Sequence, residues 1–129
     1  EILKKQKKDT KKKMEILNSI KTHANMIRSS IESGQLNLVG EILHETWKEK
    51  KKLVNTISNN DIDKMYSLAR KGGAVGGKIC GAGAGGFLLL YVSQEKQDTV
   101  RKALSDYREM PFMMERNGSR IIFNQRRYP

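Results

Sequence analysis

The chain has 129 residues, enough for one domain with a real core, and its 37% hydrophobic and 30% charged composition with only 2 Pro excludes wholesale disorder. A single Cys excludes an intramolecular disulfide framework and fits a reducing compartment, so a cytoplasmic setting is expected. The net charge of +11 raises a polyanion as partner, but residues 1–53 carry 13 basic and 7 acidic groups and residues 54–129 carry 12 and 7, so the excess is spread along the chain.

Residues 1–33 read as a helix. Met14, Leu17, Ile20, Ala24, Ile27 and Ile31 recur at three- and four-residue steps and form one apolar stripe, and Gly34 suits the left-handed position that ends a helix. Its first thirteen residues are lysine-rich, with Lys4, Lys5, Lys7, Lys8, Lys11, Lys12 and Lys13 in one run and no aromatic residues interleaved to stack on bases. No nucleic-acid partner is expected. A second helix is predicted from Leu36 to about Ile57, on Leu36, Val39, Leu43, Trp47, Val54 and Ile57. Gly40 interrupts it, and a glycine there predicts a close helix–helix approach. Lys48, Lys50, Lys51 and Lys52 read as a solvated helix face. Ser58-Asn59-Asn60-Asp61 is a turn rich in capping residues, and a short third helix follows with Ile62, Met65, Tyr66 and Ala69 inward, stopping at Gly72-Gly73.

The character then changes, because eight of the fifteen residues from Gly72 to Gly86 are glycine. Gly76 to Cys80 supplies one predicted strand. Phe87 to Val92 supplies another, read as buried on both faces; it is the longest continuous apolar run and is far short of a membrane span, and no secretory signal pattern opens the chain. Gln94 to Arg108 reads as a helix capped by Ser93, with Val100, Ala103, Leu104 and Tyr107 on one side. Phe112 to Glu115 and Arg120 to Phe123 read as two strands joined by the hairpin turn Asn117-Gly118. The expected class is α+β: a small, mainly antiparallel sheet of four strands with helices over one face.

The glycine segment carries the chemical signal. Gly72 to Lys78 spells GxxxxGK, but Ile79 stands where a magnesium-binding hydroxyl is needed, and the preceding element is a helix where that motif needs a strand. Gly81, Gly83 and Gly86 satisfy GxGxxG, but a strand follows where a dinucleotide fold needs a helix. What remains is backbone that can approach a phosphate, a sugar or another stretch of protein, with φ > 0 open to it; a tight strand crossing inside the core fits equally. His23 and His44 lack partners at metal-ligand spacing and read as structural, and Cys80 reads as a small core residue. No metal site and no catalytic residue can be placed.

Gly77-Lys78-Ile79-Cys80-Gly81-Ala82-Gly83-Ala84-Gly85-Gly86-Phe87-Leu88-Leu89-Leu90-Tyr91 resembles the third, C-terminal motif of the GHMP kinases. Val39 to Lys48, with Lys50 and Lys51, resembles the Gly-x-Leu-Leu-His-x-x-Trp-x-x-Lys pattern of that family's heptose 7-phosphate kinase branch, with the fucokinase branch next. Asp61 to Tyr66 and Pro111 to Arg120 fit the same branch, and Ala84 departs from it where Gly is more usual. The resemblance spans roughly residues 14–124. It implies the ferredoxin-like (split βαβ) C-terminal domain of an ATP-dependent sugar kinase, with residues 1–129 forming that single domain and the ATP-binding N-terminal domain lying outside this chain. It further implies that Gly81, Ala82, Gly83, Ala84, Gly85 and Gly86 face the substrate and the phosphate loop, with Lys78 in a minor role. ATP and Mg2+ would be held by the other domain, which also carries the catalytic residues, and none is expected on this chain alone. The sugar phosphate and the N-terminal domain are the implied partners, with self-association through the exposed interface. Two other readings stay open: a standalone small-molecule or anion-binding module using the same loop, and a polyanion-binding domain driven by the lysines.

Overall fold

The computed structural model describes residues 2–53, 57–81 and 85–118, with side chains described from residue 10 onward. Three helices, α1 (Ile2–Glu32), α2 (Leu36–Leu53) and α3 (Asn60–Gly72), precede a hairpin of β1 (Gly76–Cys80) and β2 (Phe87–Tyr91), and a 3-10 turn (Gln94–Lys96) leads into α4 (Gln97–Ala103). The strands are antiparallel, with Gly76 opposite Tyr91 and Cys80 opposite Phe87.

The glycine stops act as their positions predict. Gly34 has φ +73°, and the Gly34 and Gln35 amides donate to Ile31 O (3.1 Å) and Ser30 O (2.8 Å), which satisfies the last carbonyls of α1. Gly73, at φ +110°, closes α3 in the same way through Arg70 O and Ala69 O, and Asn59 Oδ1 accepts from Ile62 N (2.9 Å) at its start.

α1 packs antiparallel on α2, but not through its full apolar stripe. Ile16, Ile20 and Ile27 are half-buried, together with Ser19 and His23, whereas Met14, Leu17, Ala24 and Ile31 stay exposed. The contact is partly polar. Ser19 Oγ donates to Glu49 Oε1 (3.0 Å), and His23 Nδ1 lies 2.9 Å from Thr46 Oγ1. The Thr46 hydroxyl donates to Ile42 O (2.8 Å), so toward His23 it accepts.

The core forms two adjoining clusters. Trp47, Ile62, Tyr66 and Ile79 make one, with Ile57, Leu88 and Leu90 against it. Ala69, Ala74 and Val100 make the other, flanked by Leu90, Val92 and Leu104, so Leu90 of β2 joins the two. Gly40 marks a close approach of helix to strand rather than helix to helix. A Cβ there would lie 2.8 Å from Tyr91 Cδ1 and from Val75 Cβ, and a Cβ on Gly76 would overlap the Gly40 carbonyl.

Several expectations are corrected. β2 is not fully buried as expected, because Phe87 is 58% exposed and Leu88 to Tyr91 are half-buried. The last helix ends at Ala103, not Arg108: the Leu104 amide is shared between Val100 O and Arg101 O, and Ser105-Asp106 follow, residues that favour turns over helix interiors. Ser93 occupies the cap position of the 3-10 turn but makes no side-chain capping bond. Phe112 to Glu115 form no strand. Phe112, Met113 and Met114 are exposed, Met113 by 94%, and no described strand pairs with them. Arg120 to Phe123 lie outside the described residues, as do Val54 to Thr56 at the expected end of the second helix. Among the described residues the sheet therefore has two strands.

Candidate functional site

β1 and β2 are closed by the pair Cys80 and Phe87, so residues 81–86 are the connection between them. Its two ends are fixed by glycine for different reasons. Gly81 has φ +134°, and its absent Cβ would stand 3.2 Å from Gly85 O; Gly86 has φ +118°, and a Cβ there would overlap the Cys80 carbonyl. Both conformations are costly for any residue with a side chain. Gly85 differs. Among the described residues nothing lies within 4 Å of the place its Cβ would take, and its φ is not positive. Gly81, Gly85 and Gly86 are all exposed. Ala82, Gly83 and Ala84 lie outside the described residues. Lys78 is half-buried in the middle of β1, opposite Leu89, and no ion pair among the described residues holds it. Cys80, also half-buried, ends the strand.

A second cluster lies at the other end of the hairpin, about 17 Å away along a five-residue strand. An open pocket of about 530 Å3 is lined by Glu41, His44, Glu45, Arg70 and the Gly73–Val75 backbone. Arg70 Nη1 donates to Ala74 O (2.7 Å) and to Val75 O, clamping the connection that launches β1. His44 Nδ1 lies 2.8 Å from the Tyr66 hydroxyl, with the two rings stacked at 5.9 Å and 5°. Burial, then the positive charge of Arg70, holds the His44 imidazole below its ordinary pKa, against the opposing pull of Glu45. Burial likewise raises the Tyr66 phenol. Sequence reasoning read His44 as structural and Tyr66 as core without joining them. They are 22 residues apart on different helices, and no periodicity links them. Among the described residues no group of three or more His, Cys, Asp or Glu is placed to hold a metal ion, and no helix is long and apolar enough to cross a membrane.

The family model of the GHMP kinases C terminal matches residues 27–109, which takes in α2, α3, the hairpin with its glycine turn, and α4. The chain belongs to the GHMP kinases. Within that family it is 34% identical, over 101 residues, to the D-glycero-alpha-D-manno-heptose 7-phosphate kinase of Campylobacter jejuni, a match covering 78% of this chain and 30% of that protein. It is 31% identical over 98 residues to the bifunctional fucokinase/GDP-fucose pyrophosphorylase of Arabidopsis thaliana, covering 73% of this chain and 9% of that one. The chain thus spans less than a third of the length of either relative. Its fold is also that of a solved GHMP kinase, the L. major mevalonate kinase in complex with R-mevalonate, with a TM-score of 0.58, 18% identity, and coverage of 73% of this chain and 34% of the other.

Proposed function

We propose that this GHMP kinase C-terminal domain serves an ATP-dependent sugar kinase that phosphorylates heptose 7-phosphate at its anomeric hydroxyl. The observation that carries the reading is the identity to the Campylobacter jejuni enzyme across 78% of the chain. The geometry fits it: Gly81, Gly85 and Gly86 are exposed, Gly81 and Gly86 take positive φ, and no described residue lies within 4 Å of the place a Gly85 Cβ would take. In this reading Gly81 to Gly86 line the cleft beside the substrate and the phosphate loop. ATP, Mg2+, the catalytic residues and the metal's ligands belong to an N-terminal domain that docks on this one. The described residues offer no magnesium ligand set, so no metal-dependent step is assigned to them. Phosphoryl transfer rests on positioning and charge neutralisation, so this domain alone is expected to be inactive in an ADP-release assay.

Two substitutions in a protein carrying both domains test the reading. Gly85→Val is expected to keep the melting temperature, since no described residue lies within 4 Å of the place its Cβ would take, and to cut kcat/KM by about tenfold or more, the equivalent of roughly 1.4 kcal/mol of lost transition-state binding. Gly86→Ala is expected to lower stability by more than the roughly 1–2 kcal/mol of its positive-φ backbone, because the added Cβ would also overlap the Cys80 carbonyl. Wild-type kinetics in Gly85→Val would return the turn to scaffolding and end the cleft assignment.

A further inference from the structure

The strand that leads to the glycine connection keeps pace with α2. At its start Gly76 lies on the Gly40 carbonyl, and three residues on, after about 10 Å, Ile79 packs in one cluster with Trp47. From Gly40 to Trp47 the helix also climbs about 10 Å. Two more strand residues bring Gly81 level with Lys51 and Lys52, in the last turn of α2. The other helices reach the same end. α3 runs back antiparallel to α2, with Tyr66 beside His44 and Asp63 paired with Lys51 at 3.2 Å. On α1, Ser19 meets Glu49, and Lys13, Lys12 and Lys11 stand about 9–12 Å beyond it toward that end.

The glycine connection and the lysines therefore share one end of the molecule. Residues 10–20 and 48–64, which build that end, hold eight lysines against four carboxylates, whereas residues 28–45 and 70–75, at the other end, hold three basic and three acidic groups. Few of the lysines are neutralised. Lys48 is paired with Glu45 and Lys51 with Asp63, while Glu49 accepts from Ser19 and faces His23. Lys11, Lys12, Lys13, Lys50 and Lys52 make no ion pair among the described residues. Lys50 is half-buried as well, so this part of α2 is more than the solvated face its sequence suggests.

We propose that this lysine end is the approach surface for a phosphate-bearing substrate, with Lys50 and Lys52 of α2 and Lys11 to Lys13 of α1 drawing a phosphate group toward the glycine connection. A phosphate ester carries roughly −1.5 to −2 charge at neutral pH, and a lysine ammonium meets it as a point charge. The lysines favour a small ester over a nucleic-acid strand: no aromatic residue interleaves with the first run, and Trp47, beside the second, is 2% exposed, so bases find nothing to stack on. Both a sugar phosphate and a nucleoside triphosphate present this chemistry. The surface stands on the register and charge of this chain. Its part in phosphoryl transfer rests on the proposed kinase reading.

Two measurements test it. On the 129-residue chain, backbone amide signals are followed by NMR as inorganic pyrophosphate is added at low salt. Shifts are expected at Lys11 to Lys13, Lys50 to Lys52 and Gly81, Gly85 and Gly86, not at Glu41 to Glu45 or Gly73 to Val75, and they should shrink when Lys50→Gln and Lys52→Gln are combined. In a protein carrying both domains, the same double variant is expected to raise KM for heptose 7-phosphate or for ATP about threefold to tenfold at low ionic strength, with kcat kept, and salt of about 0.5 M should erase the difference. Lys71→Gln with Lys102→Gln, an equal loss of charge at the other end, should leave both KM values alone. The KM that moves identifies which phosphate is received. Pyrophosphate shifts spread evenly over the chain would overturn the proposal, as would shifts with an oligodeoxythymidine but none with pyrophosphate. If the shifts are local but no sugar is phosphorylated, the surface stands and the kinase reading falls; an active kinase whose KM values ignore Lys50 and Lys52 gives the reverse.

Discussion

His44 is a titratable group whose environment gives the fold a pH dependence that can be signed. Its folded pKa lies below its ordinary value of 6.5, burial being the first cause. The unfolded chain therefore takes up a proton before the folded one does, and stability rises with pH across that interval. The contribution is fully present above about pH 6.5 and is lost as pH falls from there toward the folded pKa. Melting temperature should drop over that window in the wild type and less steeply in His44→Gln; parallel curves would remove His44 as the cause. Part of the backbone at this scale was readable in advance. The glycines at 81 and 86 occupy left-handed backbone, which a cluster of Gly between two strands foretells, whereas the openness at Gly85 depends on what surrounds it and has no local signature. The pairing of His44 with Tyr66 joins two helices, and one-dimensional spacing does not encode it.

Elements were legible where their own chemistry decides them. α1 and α3 stop at glycines that take φ > 0, and Asn59 caps α3 as its type suggests. They were misread where a neighbour decides. The stripe on α1 is real as a pattern, yet α2 meets the helix on a face shared with Ser19 and His23, and Leu17, Ala24 and Ile31 are left outside. Phe112 to Glu115 have the composition of a strand but no described partner strand, and a strand exists only in a pair. Gly40 was recognised as a contact residue while its partner was mistaken. That partner sets the expected outcome of Gly40→Ala. Helix propensity alone would favour Ala by roughly 1 kcal/mol. The added methyl, however, meets Val75 Cβ and the Tyr91 ring at 2.8 Å, and overpacking of that kind costs about 1–3 kcal/mol. The urea midpoint should fall with an unchanged slope. A raised midpoint would mean that helix and strand stand further apart than this contact implies.

For the molecule as a whole, antiparallel packing brings together charges that lie far apart in the sequence. Ser19 against Glu49 and His23 against Thr46 set the register, so Lys11, Lys12 and Lys13 of α1 lie toward the same end as Lys50, Lys51 and Lys52 of α2. Lys51 is paired with Asp63 at 3.2 Å. With a net charge of +11, repulsion should outweigh exposed pairs such as Arg28–Glu32, which contribute little. Raising salt from about 0.01 M to 0.15 M shortens the screening length from roughly 30 Å to 8 Å and should raise the melting temperature. A fall would show that attractive pairs dominate. The α+β class was plain from the order of the elements, while the gathering of lysines at one end was hidden because the two lysine-rich runs lie far apart in the sequence and only the packing of α1 on α2 brings them together.

The unequal lengths of the first two helices have a consequence for how α1 comes apart. It has 31 residues and α2 has 18, and the two begin side by side at the Gly34 turn. At 1.5 Å per residue, α1 runs about 20 Å past the point where α2 ends at Leu53. Along that stretch the backbone is held, among the described residues, by bonds within its own helix, and a helix of such length in water is marginal alone. Amide hydrogens should therefore exchange along a gradient. Those near Ile27 and Ser30 would open only with the fold, and those before about Ile16 would open by local unwinding, at a rate that reports the helix–coil equilibrium of a lysine-rich segment rather than the stability of the domain.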